Sequence, residues 1–282
     1  MAAKYALVTG ASTGIGYGCA VALAEQGYHT YAGVRSDADG ERVRQESGGR
    51  LHPIILDVTK PEQIAAAVAR LTEETGGAGL HALVNNAGIA IAGPLEFIPA
   101  EDFARQMNIN VNGLVAVTQA CLPLLRQASG RLCLISSTNG FFAAPFMAPY
   151  AASKFAVEAV GDALRIELAP WNIGVSIVQP GAIQTPIWEK SKADNEAMLA
   201  RMSKKAHTLY AGPIEALRRE AANAERRAVP VKHVTDCVVH AITSDAPKTR
   251  YRCGAGAGIQ YFIARWIPDK LRDRLIRKVM GV

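Results

Sequence analysis

The octapeptide TGASTGIG, residues 9–16, is the stretch that decides the fold of this 282-residue chain. Its three glycines lie between an apolar run, Tyr5–Thr9, and a segment with helical spacing, Ile15–Gln26. A tight turn at a helix N-terminus presents backbone N–H groups and the positive end of the helix dipole to a pyrophosphate, and glycine lets the phosphate come close. The spacing departs from G-x-G-x-x-G, so a turn that only packs is the alternative at this point. The context predicts a nucleotide-binding strand, turn and helix.

Strands and helices alternate along the rest of the chain. The apolar runs that read as further strands are Tyr28–Val34, Leu51–Leu56, His81–Val84, Arg131–Ser136 and Gly174–Val178. The segments with helical periodicity are Pro61–Leu71, Phe103–Leu125 and Tyr150–Pro170, and the residues after Val34 read as a polar loop. Strands that are nearly continuous in Val, Leu and Ile predict a parallel sheet with helices on both faces, a doubly wound α/β (Rossmann) fold.

Residues 1–282 are predicted to form a single domain, because no repeat or low-complexity linker interrupts them. From about 186 to 230 the chain is charged, alanine-rich and helical, without a strand signal, and we interpret this segment as a lid inserted over the mouth of the sheet. A basic tail follows, at about 246–282. It carries nine basic and two acidic residues, a net charge of +7, whereas the whole chain carries +6. Because the remainder sums to −1, nucleic-acid binding is not expected.

Composition indicates a soluble, reduced, cytoplasmic protein. The N-terminus has no apolar stretch typical of a signal peptide, and the longest uncharged stretch, Leu132–Ser153, is broken by polar residues and prolines, so no membrane span is expected. The five cysteines are scattered, and no histidine or cysteine stands at metal-ligand spacing. We therefore expect free thiols and no metal site.

Further motifs follow the glycine turn in a fixed order. Asp57-Val58 follows the third strand, Asn85-Asn86-Ala87-Gly88 follows the fourth, and Pro180-Gly181 with Thr185 follows the last. Between them stand Asn110, then Ser137 thirteen residues before Tyr150, and Lys154 four residues after it. This set resembles the short-chain dehydrogenase/reductase family, whose cofactor motif is T-G-x-x-x-G-x-G, and the resemblance covers residues 4 to about 188.

The resemblance implies a hydride-transfer enzyme and assigns its site residues. By this resemblance the catalytic residues are Asn110, Ser137, Tyr150 and Lys154, with Asn110 holding a water that links Lys154 to solvent. The cofactor-binding residues implied are Gly10, Ser12, Thr13, Gly14, Ile15, Gly16, Arg35, Asp57, Val58, Asn86, Ala87, Gly88, Tyr150, Lys154, Pro180, Gly181, Ile183 and Thr185. Family members commonly associate through the two long helices that begin here near Phe103 and Tyr150, which implies a homodimer or homotetramer.

The chemistry of Tyr150 and Lys154 follows from their spacing. Residues four apart share one helix face, and a neighbouring ammonium favours the phenolate form, so Lys154 is expected to lower the pKa of Tyr150. Such a phenol exchanges a proton with a carbonyl oxygen while Ser137 hydrogen-bonds the same oxygen. A lone Tyr-x-x-x-Lys is more often packing beside a snorkelling lysine. Here all four residue types stand behind an intact cofactor turn, which favours catalysis over a non-catalytic dinucleotide-binding protein.

The turn after the second strand bears on which dinucleotide binds. It reads VRSDAD, and Arg35 comes first. A guanidinium pairs with a 2′-phosphate, so NADP(H) is favoured over NAD(H). Asp37 and Asp39 come slightly later and are also consistent with solvated loop charges, and Arg35 with an exposed charge at a strand end.

Apolar residues predominate where the substrate is expected. The segments concerned are Ile89–Leu95, Asn139–Pro149 and the insertion after Pro186, and they contain Ile91, Phe141, Phe142, Pro145, Phe146, Met147 and Trp188. Few charges accompany them, so a lipophilic ketone or alcohol is favoured, although each side chain is equally consistent with a place in the core. The stretch SKFAVEAVGDALRIELAPWNIGVSIVQPG and the tail are similar to the branch of the family that holds retinol and 17β-hydroxysteroid dehydrogenases.

The tail has its own periodicity. Ile267, Leu271, Leu275 and Val279 recur every four residues among basic side chains. A basic amphipathic helix of this type either lies on an anionic membrane surface or docks its apolar stripe on the protein body or on a partner subunit. Docking is favoured because so regular a stripe is normal for docked helices.

Overall fold

The computed structural model describes residues 3–186, 189, 196, 200, 202 and 204–280. Seven strands are present in this part of the chain: β1 Lys4–Val8, β2 Tyr28–Val34, β3 Leu51–Ile55, β4 Ala82–Asn85, β5 Arg131–Ile135, β6 Gly174–Pro180 and β7 Arg250–Cys253. The α-helices are α1 Gly14–Glu25, α2 Asp37–Glu46, α3 Pro61–Thr75, α4 Ala100–Met107, α5 Leu114–Ala128, α6 Ala148–Glu167, α7 Lys204–Arg227, α8 Lys232–Thr243, α9 Ala257–Trp266 and α10 Asp269–Met280.

The strands form one parallel sheet in the order β3-β2-β1-β4-β5-β6-β7. Strand order reverses between β1 and β4, where the chain passes from one half of the sheet to the other. In open α/β sheets this reversal leaves a crevice at the carboxyl ends of the strands, and ligands bind there. The doubly wound fold predicted from the alternation of elements is confirmed.

Both faces of the sheet are buried, which explains the near-continuous apolar strands. In β1, Ala6 and Val8 contribute to the core on one face, whereas Leu7 contributes to the core on the other. Helices α1 and α8 cover the first face, and α3 and α5 cover the second. This packing holds the β1–α1 turn and the carboxyl ends of β4, β5 and β6 in fixed positions.

The predicted polar loop after Val34 is wrong, because Asp37–Glu46 forms helix α2. Ser36 caps the helix, with its hydroxyl accepting a hydrogen bond from the Asp39 N–H at 3.2 Å. Acidic residues in the first turn favour this helix through its dipole. Only Gly40 and Val43 are buried, so an apolar period was absent from the sequence.

The long helix predicted over Phe103–Leu125 is present with a different internal geometry. Helices α4 and α5 are joined by a π-helical segment, Asn108–Gly113. Among the described residues, the run Ala100–Ala128 is the one that is long and apolar enough to cross a membrane by length and composition. Its residues Val117, Cys121 and Leu125 are buried against the sheet, as in a core helix of a globular fold.

The lid and the tail are partly described. Most of the residues from 187 to 203, Trp188 among them, lie outside the described residues, and α7 forms the rest of the insertion. The tail supplies β7 to the sheet edge and then forms α9 and α10. Helix α8 and strand β7 have no counterpart among the elements predicted from the sequence. That residues 1–282 form a single domain stays a prediction.

A cluster of aromatic rings lies on β2 and β3. The imidazoles of His29 and His52 stack with their centroids 3.6 Å apart and their planes 12° apart. Burial lowers the pKa of His52, and the neighbouring His29 lowers it further. The pKa of His81, whose Nδ1 accepts the Tyr5 N–H at 3.2 Å, is also lowered by burial.

We expect the free energy of unfolding to fall as the pH falls below about 6.5, the pKa of histidine in an unfolded chain. Because the folded pKa values of His52 and His81 are lower, the unfolded state binds protons first, and the stability present above pH 6.5 is lost. Urea unfolding at pH 8 and pH 5.5 measures this difference. His52→Phe retains a ring at the stack and is expected to reduce the difference, and an unchanged difference would contradict this account.

Candidate active site

The turns after β1 and β4 are tied together by side chains. The hydroxyl oxygen of Thr9 accepts hydrogen bonds from the N–H groups of Asn86 at 2.9 Å and Ala87 at 3.0 Å. In return, the Asn86 side-chain amide donates to the carbonyls of Thr9 at 3.0 Å and Gly10 at 3.1 Å. The TGASTGIG and NNAG segments therefore form one rigid floor in the crevice between β1 and β4.

Two glycines of the first turn have no room for a side chain. A Cβ on Gly16 would lie 2.3 Å from the Gly10 carbonyl oxygen and 2.4 Å from the Asn86 amide nitrogen. A Cβ on Gly10 would lie 2.8 Å from the Ala87 Cα, and Gly10 also has a positive φ of 62°. Thr13, at the N-cap of α1, makes no side-chain hydrogen bond to the helix. Backbone N–H groups at this end of α1 therefore suit a pyrophosphate.

The residues predicted to contact the adenosine half lie at the ends of β2 and β3. Both side-chain contacts of Asp57 come from Thr59, whose N–H and hydroxyl donate to its Oδ1 at 3.0 and 2.7 Å. Burial acts to raise the pKa of Asp57, but these hydrogen bonds outweigh it and hold the pKa below its usual value. Val58 is buried beside Gly113, and Arg35 is exposed directly after β2.

Arg42 of α2 is a residue that the sequence did not single out. Its guanidinium donates to the carbonyl of Ser12 at 2.8 Å and to Asp39 at 2.9 Å. A second cation therefore stands beside the glycine turn, close to the end of β2 where Arg35 lies. Asp39 and Arg42 stand three residues apart, a spacing that favours an ion pair on a helix. The spacing predicts this contact only if the segment is known to be helical.

Ser137, Tyr150 and Lys154 meet at the carboxyl end of β5. The Ser137 hydroxyl is close enough to the Tyr150 phenol to lower its pKa. Lys154 is buried, its Nζ donates to the Ile135 carbonyl at 2.8 Å, and the same nitrogen lies 5.7 Å from the centroid of the Tyr150 ring. Spacing of four residues on α6 and the strand end of β5 together produce this arrangement.

The pKa values at this cluster differ from the expectation for Tyr150. Burial raises the pKa of the Tyr150 phenol, and the nearby Ser137 hydroxyl opposes the rise. The predicted lowering by Lys154 is therefore wrong for this state of the protein. Burial lowers the pKa of Lys154 to about 8, against the opposing effect of the Glu158 carboxylate. Both groups thus hold their protons at neutral pH, and Lys154 loses its proton under mildly alkaline conditions.

Asn110 lies in the π-helical segment between α4 and α5. Its Oδ1 accepts the Ile89 N–H at 2.9 Å, and its amide nitrogen donates to the Ile89 carbonyl at 3.0 Å and the Ser153 hydroxyl at 3.1 Å. A π-helical turn inside a longer helix frequently marks a functional site. Here the π-helical turn places the Asn110 side chain between Ile89, which follows NNAG, and Ser153 of α6, the residue before Lys154.

Glu158 lies four residues after Lys154 on α6, so it shares a helix face with Tyr150 and Lys154. Its carboxylate accepts hydrogen bonds from the Gln179 side chain, at 3.0 Å to each oxygen, and from Arg250 Nε at 2.9 Å. Arg250 also donates to Asp162 at 2.7 Å. A network of buried and half-buried charges therefore runs from beneath Lys154 to the sheet edge at β7. Sequence analysis missed it because its partners come from three separate segments.

Glu158→Gln is expected to move the alkaline limb of the pH profile of kcat/KM for carbonyl reduction to lower pH. The negative charge of Glu158 raises the pKa of Lys154. Without this charge, Lys154 loses its proton at a lower pH. Initial rates between pH 6 and 10 measure the limb. Asp162→Asn removes a carboxylate on the exposed side of Arg250 and is the matched control, and a limb that moves equally in both variants would argue against specific tuning.

The segment after β6 closes the crevice. The Gly181 N–H donates to the Cys253 carbonyl at 2.7 Å, and a Cβ on Gly181 would lie 2.3 Å from the Ala255 carbonyl oxygen. Ile183 pairs with Val229, and Thr185 lies beside Gly14, where a glycine Cβ would be 3.3 Å from the Thr185 Cβ. The structure thus brings Pro180–Thr185 over the start of α1, opposite the floor formed by the first two turns.

A cavity of about 1180 Å³ joins these elements. Its floor includes Asn86, Gly88, Ser137, Tyr150 and Lys154, and its walls come from the segments after β4 and β5 and from α7, α9 and α10. Among the residues predicted to line a substrate site, those that line the cavity are Phe142, Pro145, Phe146 and Met147. Ile91 is buried in the fold, and Phe141 packs edge-on against Tyr261 at 5.4 Å.

A nucleotide crevice that opens into a large cavity beside a tyrosine, a lysine and a serine defines a class of proteins: the nicotinamide-dependent oxidoreductases. Comparison with known proteins narrows the class. The family model for short chain dehydrogenases matches residues 4–196. Retinol dehydrogenase 5 of Mus musculus is 33% identical over 98% of this chain and 88% of the relative.

One more relative and one solved structure come from other organisms. An NADPH-dependent 3-dehydrocapnine reductase of Ornithobacterium rhinotracheale is 32% identical over 98% of this chain and 96% of the relative. The crystal structure of a short chain dehydrogenase of Burkholderia cenocepacia in complex with NADP superposes with a TM-score of 0.73, at 27% identity, over 97% of each chain. The chain belongs to the short-chain dehydrogenase/reductase family, in its retinol dehydrogenase-like branch, and is an oxidoreductase that acts on CH–OH or C=O groups.

Proposed function

We propose that this protein transfers a hydride between NADP(H) and a lipophilic ketone, aldehyde or alcohol, with Tyr150 as the general acid and base. The observation that carries the proposal is the position of the Tyr150 hydroxyl. It lies close to Ser137 and Lys154 and lines the same cavity as Phe142, Phe146 and Met147. A carbonyl oxygen held there meets a proton donor and a second hydroxyl donor at once.

The residues present fit a dinucleotide. Gly10, Gly14 and Gly16 at the start of α1 would hold its pyrophosphate, and Asp57 with Val58 would contact the adenine. Asn86-Ala87-Gly88, Pro180-Gly181, Ile183 and Thr185 would enclose the nicotinamide half. Ser12, Thr13 and Ile15 complete the turn. The bound cofactor supplies the hydride, and the chain supplies position and protons.

Proton transfer is the task of the α6 residues. A phenol whose pKa is raised by burial retains its proton at neutral pH and donates it to the substrate oxygen during reduction. The Ser137 hydroxyl stabilises the charge that develops on this oxygen. Lys154 would hydrogen-bond the nicotinamide ribose and carry a proton toward Tyr150, and Asn110 would hold the segment through which solvent supplies it.

An apolar substrate fits the cavity wall. The apolar side chains that line it are Phe142, Phe146, Met147, Ile214 and Leu275, and α7 adds charged side chains such as Arg218, Arg219 and Glu220. Phe146 has a positive φ of 65°, and its carbonyl accepts the Gly93 N–H at 2.7 Å, so its backbone is held in place. The names of the relatives, a retinol dehydrogenase and a 3-dehydrocapnine reductase, support a lipophilic substrate.

Arg35→Ala is expected to lower kcat/KM with NADPH about tenfold or more while leaving kcat/KM with NADH within about twofold, because a charge-assisted hydrogen bond to the 2′-phosphate is worth about 1.5–3 kcal/mol. Initial rates with each cofactor measure the ratio. Arg44→Ala removes an exposed arginine of the same neighbourhood and is the control. An unchanged NADPH to NADH ratio in Arg35→Ala would favour NAD(H) or assign the discrimination to Arg42.

A carbonyl and alcohol panel tests the function as a whole. It contains steroids, retinoids and long-chain ketones with their alcohols, each assayed with NADPH, NADP, NADH and NAD. We expect turnover of apolar carbonyls that exceeds turnover of charged metabolites. The second candidate is a dinucleotide-binding protein without catalysis, and NADPH fluorescence that reports binding with no consumption across the panel would favour it.

We also propose a homodimer or homotetramer formed through α4–α5 and α6. Large apolar side chains are exposed on α6 at Phe155 and Ile166, which makes this face suitable for a partner copy. Light scattering coupled to size exclusion tests the assembly, and a monomeric mass at micromolar concentration would contradict it. Location in the cytoplasm stays a prediction.

A further inference from the structure

We propose that helices α9 and α10 form a docking surface for an anionic lipid bilayer, with the mouth of the cavity at its edge. The surface comprises Ile259, Phe262 and Trp266 of α9, Leu271 of α10, and the basic side chains around them. Substrates dissolved in the membrane would then enter the cavity without crossing water, a consequence that rests on the proposed function, whereas docking itself does not.

Three large apolar side chains of α9 share one helix face. Ile259, Phe262 and Trp266 stand at spacings of three and four residues, and they are 70%, 59% and 70% exposed. The opposite side of the helix is docked: Tyr261 packs against Phe141 at 5.4 Å and lies under the Arg252 guanidinium at 4.0 Å. Helix α9 is therefore fixed to the body and presents its apolar face outward.

The same helices form the wall of the cavity. Ile263, next to the exposed face of α9, lines the cavity, and so do Leu275 and Val279 of α10. Leu275 and Val279 are also about half exposed, so apolar surface continues from the outside of the protein into the cavity. The docking of the α10 stripe on the body, favoured from the sequence, is thus only partial.

Charge indicates which partner this surface fits. From Gly256 to the end, the chain carries six basic and two acidic residues, a net charge of +4. Arg265 follows the exposed face of α9, and Lys270, Arg274 and Lys278 lie along α10. Exposed aromatic and aliphatic side chains flanked by cations are the composition of an interfacial membrane helix, and tryptophan suits the headgroup region.

A second copy of this chain fits less well. A two-fold interface brings the same patch of each subunit together, so two segments of net charge +4 would face each other. Like charges at such an interface oppose association, whereas anionic headgroups complement them. The surface is therefore better suited to a bilayer than to self-association.

Co-sedimentation with vesicles tests the docking surface. The full chain is mixed with vesicles of phosphatidylcholine alone or of phosphatidylcholine and phosphatidylglycerol in equal parts. We expect binding to the anionic vesicles that weakens in high salt, and at least tenfold weaker binding to the neutral ones. The triple variant Ile259→Ser, Phe262→Ser, Trp266→Ser is expected to lose at least tenfold in affinity, as is Lys270→Gln, Arg274→Gln, Lys278→Gln.

Leu209→Ser, which removes an exposed leucine on α7, is the matched control and is expected to bind vesicles as the unmodified protein does. Unchanged circular dichroism and NADPH binding verify that the variants are folded. Absence of binding to anionic vesicles, or equal binding by the apolar triple variant, would overturn the proposal. A change of oligomeric state in that variant without a change in vesicle binding would assign the surface to a second copy and would also overturn it. Turnover of a water-soluble ketone, measured separately, tests the proposed function independently.

Discussion

Tyr150→Phe is expected to reduce carbonyl turnover about 1000-fold or more, because general acid catalysis by one side chain contributes about 10²–10⁴-fold. Loss of the hydroxyl leaves the ring on α6 but removes the proton donor that lies close to Ser137 and Lys154. NADPH consumption in the presence of an apolar ketone measures turnover. Quenching and shift of NADPH fluorescence are expected to show that the cofactor still binds, since the glycine turn is untouched.

Tyr210→Phe is the matched control for this variant. Tyr210 lies on α7, and its hydroxyl donates to Glu96 at 3.0 Å on the protein surface, so the same chemical change is made away from α6. Turnover is expected to remain within about twofold of the unmodified protein. Equal rates for Tyr150→Phe and Tyr210→Phe would contradict the assignment of Tyr150 as the acid.

Gly16→Ala is expected to abolish dinucleotide binding and to destabilise the fold by about 1–3 kcal/mol or more, the usual cost of inserting a methyl group where there is no space. The added Cβ would meet the Gly10 carbonyl oxygen at 2.3 Å, a backbone atom, and the Asn86 amide that ties the two turns together. Isothermal titration with NADP and NAD measures binding, and urea unfolding measures stability.

Gly258→Ala separates crowding from the general effect of replacing glycine. Gly258 lies in α9 with nothing within 4 Å of an added Cβ. Alanine is favoured over glycine in a helix by about 1 kcal/mol, so this variant is expected to be as stable as the original or slightly more stable. Retained cofactor affinity in Gly16→Ala would contradict the role of the β1–α1 turn as the pyrophosphate site.

The sheet and the crevice could be predicted from the sequence because their signals are local. Each buried strand is a short apolar run, and TGASTGIG and NNAG follow two such runs directly. Parallel strands bring their carboxyl ends to one edge, so motifs far apart in sequence must meet there. In this protein the two motifs are joined by hydrogen bonds from the Asn86 and Ala87 N–H groups to the Thr9 hydroxyl.

Elements without an apolar period could not be predicted. Helix α2 buries little and depends on its cap and its charges, so Arg42 and its contact with the Ser12 carbonyl were missed with it. The Glu158 network was missed because Gln179 and Arg250 reach it from β6 and β7. Pairings of this kind depend on strand order, which periodicity does not reveal.

The direction of a pKa shift also requires the structure. Spacing indicates that Lys154 stands near Tyr150, but it does not give the depth at which either side chain lies. Burial proves to be the larger influence, and it raises the pKa of the phenol and lowers that of the ammonium. The sequence-based interpretation considered only the neighbouring charge and therefore predicted the wrong sign for Tyr150.

Transfer of deuterium from NADPH to the product tests most directly whether the protein transfers a hydride with the help of Tyr150. NADPH that carries deuterium at C4, in each of its two stereochemical forms, is incubated with an apolar ketone reduced in the panel, and the alcohol is analysed by mass spectrometry. We predict one deuterium at the carbinol carbon from one of the two forms, formed rapidly by the unmodified protein and about 1000-fold more slowly by Tyr150→Phe. An alcohol that contains no cofactor deuterium, or label transfer at equal rates in both proteins, would contradict hydride transfer assisted by Tyr150.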